Sequence, residues 1–167
     1  MKKAWIVSAT LGAILVFLLV YTAFQEKSGV NIGMNNLPPD LTFISADGKE
    51  IKLSDYRGKV LLLNFWAVWC PPCKEELPIF EKVYSKYRSL GFEVVAVNMD
   101  TSEDTFREFL RNNPYSFTMV RPKGDLENRL KLFGFPTSYL IDKEGNVVKV
   151  KMGIYRELEE DVAKLLK

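Results

Sequence analysis

Cys70 and Cys73 are the only cysteines in the 167-residue chain, and two residues separate them in Cys70-Pro71-Pro72-Cys73. This spacing suits one chemistry above others, the reversible making and breaking of a disulfide. Val60 to Trp66, just before the pair, is nearly all apolar and predicts a strand buried on both faces. From about Pro71 to Ser89, Leu77, Phe80, Val83, Tyr84 and Tyr87 form one helical stripe. Pro71 fits the first turn of that helix, where a missing N–H costs nothing. Cys70 therefore falls at the helix N-terminus, where free N–H groups and the dipole favour a thiolate. Cys73 lies one turn further in. Disulfide exchange requires such a pair, one exposed thiolate and one recessed thiol.

Composition removes most rivals. There is no histidine, so His-dependent triads and His-ligated metal sites are excluded within one chain. Two cysteines fall short of the roughly four ligands of a structural zinc site. They fall equally short of an iron–sulfur cluster unless two chains share it. Lys74 stands where covalent haem attachment calls for His. The expectation is no metal and no cofactor beyond the cysteine pair. With 23 basic and 21 acidic residues the net charge is +2, and no basic block suggests a nucleic-acid partner.

The elements that must position the pair can be read around it. Lys2 and Lys3 precede an uncharged apolar run, Ala4 to Phe24, whose roughly 20 residues could cross a bilayer core of ~30 Å as a helix. The rival is a cleaved signal, whose apolar core is usually only about 7–15 residues long. A cut after Ala23 would place Tyr21 at the −3 position, a poor fit. The lysines favour a cytoplasmic N-terminus and a domain on the other side of the membrane. Residues 1–24 thus read as the cytoplasmic start and a single-pass anchor, 25–36 as a linker, and 37–167 as one domain. In that domain Phe43 to Leu53 predicts a hairpin turning at Asp47-Gly48. Phe92 to Val97 is a second buried strand, after Gly91 stops the first helix. Thr101 or Ser102 caps a helix to about Asn112, and Thr118 to Val120 is a short strand. Leu126 to Leu132 reads as a short helix. Strands Thr137 to Ile141 and Val147 to Met152 flank a turn at 142–146, and a last helix runs from about Arg156 to Leu166. The sum is an α/β sandwich, a mixed central β-sheet with helices on both faces.

The segment Trp69-Cys70-Pro71-Pro72-Cys73, Pro78 five residues on, and Gly134-Phe135-Pro136-Thr137-Ser138-Tyr139-Leu140-Ile141-Asp142 resemble the thioredoxin superfamily. Within it they resemble the membrane-tethered TlpA/ResA-like branch, over about Leu37 to Leu166. The resemblance implies a thioredoxin-like fold and a thiol–disulfide oxidoreductase. It implies a cis peptide before Pro136 and a partner groove bordered by Trp69, Phe135 and Pro136. Asn64 replaces the buried Asp of cytoplasmic thioredoxin. A Glu at the position of Glu76 tunes the cysteines in this branch, and the i+3 spacing puts Glu76 on the side of Cys73. Glu75, at i+2, turns away. Trp66 alternates with strand residues and is expected in the core.

The resemblance further implies a reductant of extracytoplasmic protein disulfides, such as those of apocytochromes c, fed by an upstream membrane thiol reductant. An oxidant of envelope proteins has the same chemistry and stays open, as does a non-catalytic assembly module. A peroxidase is disfavoured, because Ala67 stands where peroxiredoxins carry Thr.

Overall fold

A computed structural model describes residues 37–167. The apolar run Ala4–Phe24 and the linker lie outside the described residues. Among the described residues no helix is long and apolar enough to cross a membrane.

Seven strands form one sheet: β1 (Thr42–Ser45), β2 (Glu50–Lys52), β3 (Val60–Trp66), β4 (Phe92–Asn98), β5 (Thr118–Pro122), β6 (Thr137–Ile141) and β7 (Val147–Met152), in the order β2-β1-β5-β4-β3-β6-β7. β3, β4 and β5 run parallel, and every other neighbouring pair is antiparallel. The helices are α1 (Pro71–Tyr87), α2 (Glu103–Asn112), α3 (Leu126–Leu130) and α4 (Leu158–Leu165), with 3-10 turns at Leu53–Tyr56 and Arg88–Leu90.

β3 is buried at all seven positions and splits its side chains between two cores. Strand side chains alternate in direction. Leu62 and Trp66 therefore pack with Leu77, Phe80 and Val83 of α1, Phe106 of α2, and Leu158 and Val162 of α4. Leu61, Leu63 and Phe65 pack on the other side with Leu41, Val95, Val97, Tyr139 and Leu126 of α3. Helices cover both faces as expected, though unequally. On the second face the short α3 is supplemented by Leu37, Leu53 and Tyr56 from the segment before β3. Asn64 falls by the same alternation on the α1 face, opposite Ser138 of β6.

The ends of the elements differ from the sequence expectation for local reasons. α1 stops at Tyr87 and tightens into the 3-10 turn before Gly91, whose φ of 95° is left-handed and costs glycine little. α3 ends at Leu130 because Lys131 takes a left-handed φ of 50° and its N–H turns back to Asn128 and Glu127. α4 starts at Leu158 rather than Arg156. β5 extends to Pro122, held by β1 through Phe43 opposite Pro122 and Ser45 opposite Val120.

Candidate active site

The cysteine pair sits where β3 hands over to α1. Cys70 is the N-cap residue, with extended backbone angles, and Pro71 and Pro72 fill the next two positions. Its sulfur accepts the Cys73 N–H at 3.3 Å. The two cysteines are joined as a disulfide, with Cα atoms 5.3 Å apart. Once the bond is reduced, that N–H and the dipole of α1 are placed to stabilise a Cys70 thiolate, Pro71 and Pro72 having no N–H to add.

Cys73 is fully buried, as expected of the recessed partner, but Cys70 is only 3% exposed. The expectation of an exposed Cys70 is thus corrected for the disulfide form. In this form its sulfur lies against the Cys73 N–H, and both cysteines join the core that holds Leu77 and Tyr155. The exposed feature is instead Trp69, at 68%, whose ring meets Phe135 edge-on at 6.0 Å. The Phe135–Pro136 bond is cis, and the Pro136 carbonyl accepts the Gly153 N–H. Trp69 adjoins Cys70, so two aromatic rings, Trp69 and Phe135, stand beside the buried disulfide. Phe133, two residues before Phe135, is 88% exposed. Its position in a loop carries no periodic signal, so sequence reasoning passed over it. Trp66 is fully buried against Phe109.

Glu76 is fully buried one turn beyond Cys73, while its neighbour Glu75 is exposed and pairs with Arg156 at 2.6 Å. Asn64 donates from Nδ2 to Glu76 Oε1 at 2.7 Å and to Ser138 Oγ at 2.9 Å. The Tyr155 N–H reaches Glu76 Oε2 at 3.3 Å. Burial pushes the Glu76 carboxyl up to about 7, against the opposing pull of these two hydrogen bonds. The chain thus holds, beside its cysteines, an acid able to take or give a proton near neutrality. Ser138 and Tyr155 were not anticipated. Ser138 enters through strand register and Tyr155 through its backbone, and neither leaves a mark in one sequence.

Among the described residues no group of three or more His, Cys, Asp or Glu side chains is arranged to hold a metal ion. Surface hollows beside Tyr56, Phe106 and Pro78 have none of Trp69, Cys70 or Phe135 in their walls.

A buried dithiol–disulfide at a strand-to-helix junction, faced by a cis-proline loop in a mixed sheet, defines a thioredoxin-fold thiol–disulfide oxidoreductase. Residues 34–150 match the AhpC/TSA family, and the chain belongs to that family. Within it the chain is 32% identical to the thiol-disulfide oxidoreductase ResA of Bacillus cereus, over 89% of this chain and 87% of the relative. It is 34% identical to ResA of Bacillus subtilis, over 86% and 82%. A Chlorobium tepidum structure provisionally named thiol:disulfide interchange protein DsbE superposes with a TM-score of 0.73 at 35% identity, covering 80% of this chain and 98% of that one. StoA of Bacillus subtilis superposes at 0.64 with 28% identity, covering 78% and 98%. The resemblance to the TlpA/ResA-like branch is thereby supported by matches that cover 78% to 89% of this chain. Enzymes of this kind run on the cysteine pair and need no cofactor, and their partners are protein thiols and disulfides.

Proposed function

We propose that the chain is a membrane-anchored reductant acting outside the cytoplasm on disulfides of proteins such as apocytochromes c. The observation that carries the chemistry of this reading is the Cys70–Cys73 disulfide at the head of α1, with the Glu76 carboxyl buried one turn beyond it. In the reduced enzyme the Cys70 thiolate attacks a substrate disulfide. One substrate thiolate leaves, and a Cys70–substrate mixed disulfide forms. Glu76 carboxylate takes the Cys73 proton, and the Cys73 thiolate attacks the Cys70 sulfur. The second substrate thiolate leaves and the enzyme disulfide closes, so two electrons have passed to the substrate. An upstream membrane dithiol then returns the pair to its reduced form.

The anchor reading rests on Ala4–Phe24 with Lys2 and Lys3 on its cytoplasmic side. A tether confines the site to a linker's reach of the membrane, which suits partners assembled there. The peroxidase alternative is countered by Ala67, which is buried beside the pair and has no hydroxyl to offer. Deleting the protein should abolish c-type cytochromes, with partial recovery on added thiol reductant. The mature chain should stay with membranes in high salt and keep Met1 or Lys2. Normal cytochromes in the deletion strain would contradict the substrate reading. A soluble form starting near Phe24 would contradict the anchor.

A further inference from the structure

We infer that Asp100 is a positioning residue for Cys70, acting by holding the peptide turn that delivers the nucleophile to the head of α1. The turn Ala67-Val68-Trp69 is short, and its first bonds go to the neighbouring parallel strand. β3 and β4 end side by side, Trp66 opposite Asn98. Beyond that register the chain ends are strapped together twice. The Met99 N–H donates to the Trp66 carbonyl at 2.8 Å, and the Val68 N–H donates to Asp100 Oδ2 at 2.8 Å. The second strap is a side chain replacing a backbone acceptor, because β4 has already turned away toward α2.

Asp100 is itself only 7% exposed. Asn98 Nδ2 donates to the same Oδ2 at 2.7 Å, and Asn98 Oδ1 accepts the Asp100 N–H at 3.2 Å. From behind, Arg121 Nη2 holds the Asp100 carbonyl at 2.8 Å. Asp100 is therefore held by its backbone N–H and carbonyl and by one carboxylate bond from Asn98, and its carboxylate meets the active-site turn two residues before Cys70. The Val68 N–H is part-buried, and an N–H to a carboxylate is among the stronger backbone bonds. Losing it would let Val68 and Trp69 shift and carry the Cys70 sulfur away from the Cys73 N–H. The thiolate would lose part of its stabilisation at the helix head.

Position and charge make opposite predictions here. Removing a negative charge near a thiol lowers its pKa, whereas loosening the turn raises it. Both described bonds to the carboxylate fall on Oδ2, and an amide oxygen has two lone pairs to accept them. Asp100→Asn can therefore keep the turn, and Asp100→Ala cannot.

The test uses the full chain, reduced and held in detergent, with the alkylation rate of Cys70 measured across pH. Asp100→Ala should move the Cys70 profile upward and cut its rate at pH 7 about tenfold, which corresponds to roughly one pKa unit. Asp100→Asn should stay within about twofold of wild type, since its amide oxygen replaces both bonds. If Asp100→Ala does not fold, Asn98→Ala serves, because it strips one donor from Oδ2 and loosens the same strap. Its profile should move upward by less. A profile in the folded alanine variants that is unchanged or moves downward would overturn the inference. So would an Asp100→Asn profile raised as far as that of Asp100→Ala.

Discussion

Cys73→Ser is expected to accumulate partner proteins as mixed disulfides on Cys70, and Cys70→Ser to accumulate none. Cys70 ends the Ala67–Trp69 turn beside the exposed Trp69 ring, so a partner disulfide laid along the Phe135–Pro136 loop meets that sulfur first. Cys73 is fully buried in the first turn of α1 and can reach only the Cys70 sulfur. Without Cys73 the first exchange still occurs, but its product cannot be resolved from within. Internal resolution draws on the large effective molarity of a neighbouring thiol, so turnover should fall by at least about a hundredfold. Non-reducing electrophoresis of cells carrying each variant reads the result as bands that collapse on adding reductant. Partners trapped on Cys73 in the Cys70→Ser variant would reverse the assignment.

Glu76→Gln is expected to flatten the pH dependence of stability. In the disulfide form the folded carboxyl titrates near 7 against an ordinary value of 4.5, because burial disfavours its charge. A raised folded pKa means that the native state holds its proton more tightly than the unfolded chain does. Between about pH 4.5 and 7 the unfolded Glu76 is ionised while the native one keeps its proton, so stability falls as pH rises. Above about pH 7 both forms are ionised, and the cumulative loss is on the order of 3 kcal/mol. Urea denaturation of the oxidised protein at pH 5 and pH 8 should show that loss in wild type, and most of it should vanish in Glu76→Gln. Reactivity of the reduced thiols should likewise lose an inflection near neutrality. Glu75→Gln is the control, since its ion pair with Arg156 is exposed on both sides and is worth less than about 1 kcal/mol. Equal slopes in wild type and Glu76→Gln would remove Glu76 from the proton path.

The parts of this site that were legible are those written in local pattern. The six apolar residues among the seven of β3 and the stripe of α1 announce a buried strand running into an amphipathic helix, and Pro71 places Cys70 at its head. Glu76 is legible because helical spacing alone puts it on the Cys73 side. What was hidden depends on register between distant segments. Ser138 meets Asn64 only because β6 pairs antiparallel to β3 in one alignment, although the two are 74 positions apart in the chain. Asp100 reads as an ordinary loop acid until β3 and β4 are laid side by side. The order of the sheet was hidden too. The hairpin β1–β2 docks against β5, and no local pattern in β1 names that neighbour. The burial of Cys70 was missed because helix-start geometry predicts an open sulfur, whereas the neighbouring core residues that cover it come from distant segments.

The reduction potential of the Cys70–Cys73 couple tests the proposed direction of the reaction most directly. It is measured on the full chain in detergent, equilibrated against defined dithiol–disulfide buffers at pH 7. Each 30 mV of difference from a partner couple is worth about 1.4 kcal/mol, so the potential decides which way electrons run. A value close to that of thioredoxin, about −270 mV, with the pair mostly reduced in growing cells, is the result predicted for a reductant. A value close to that of DsbA, about −120 mV, with the pair held oxidised, would contradict it and assign the protein to disulfide formation.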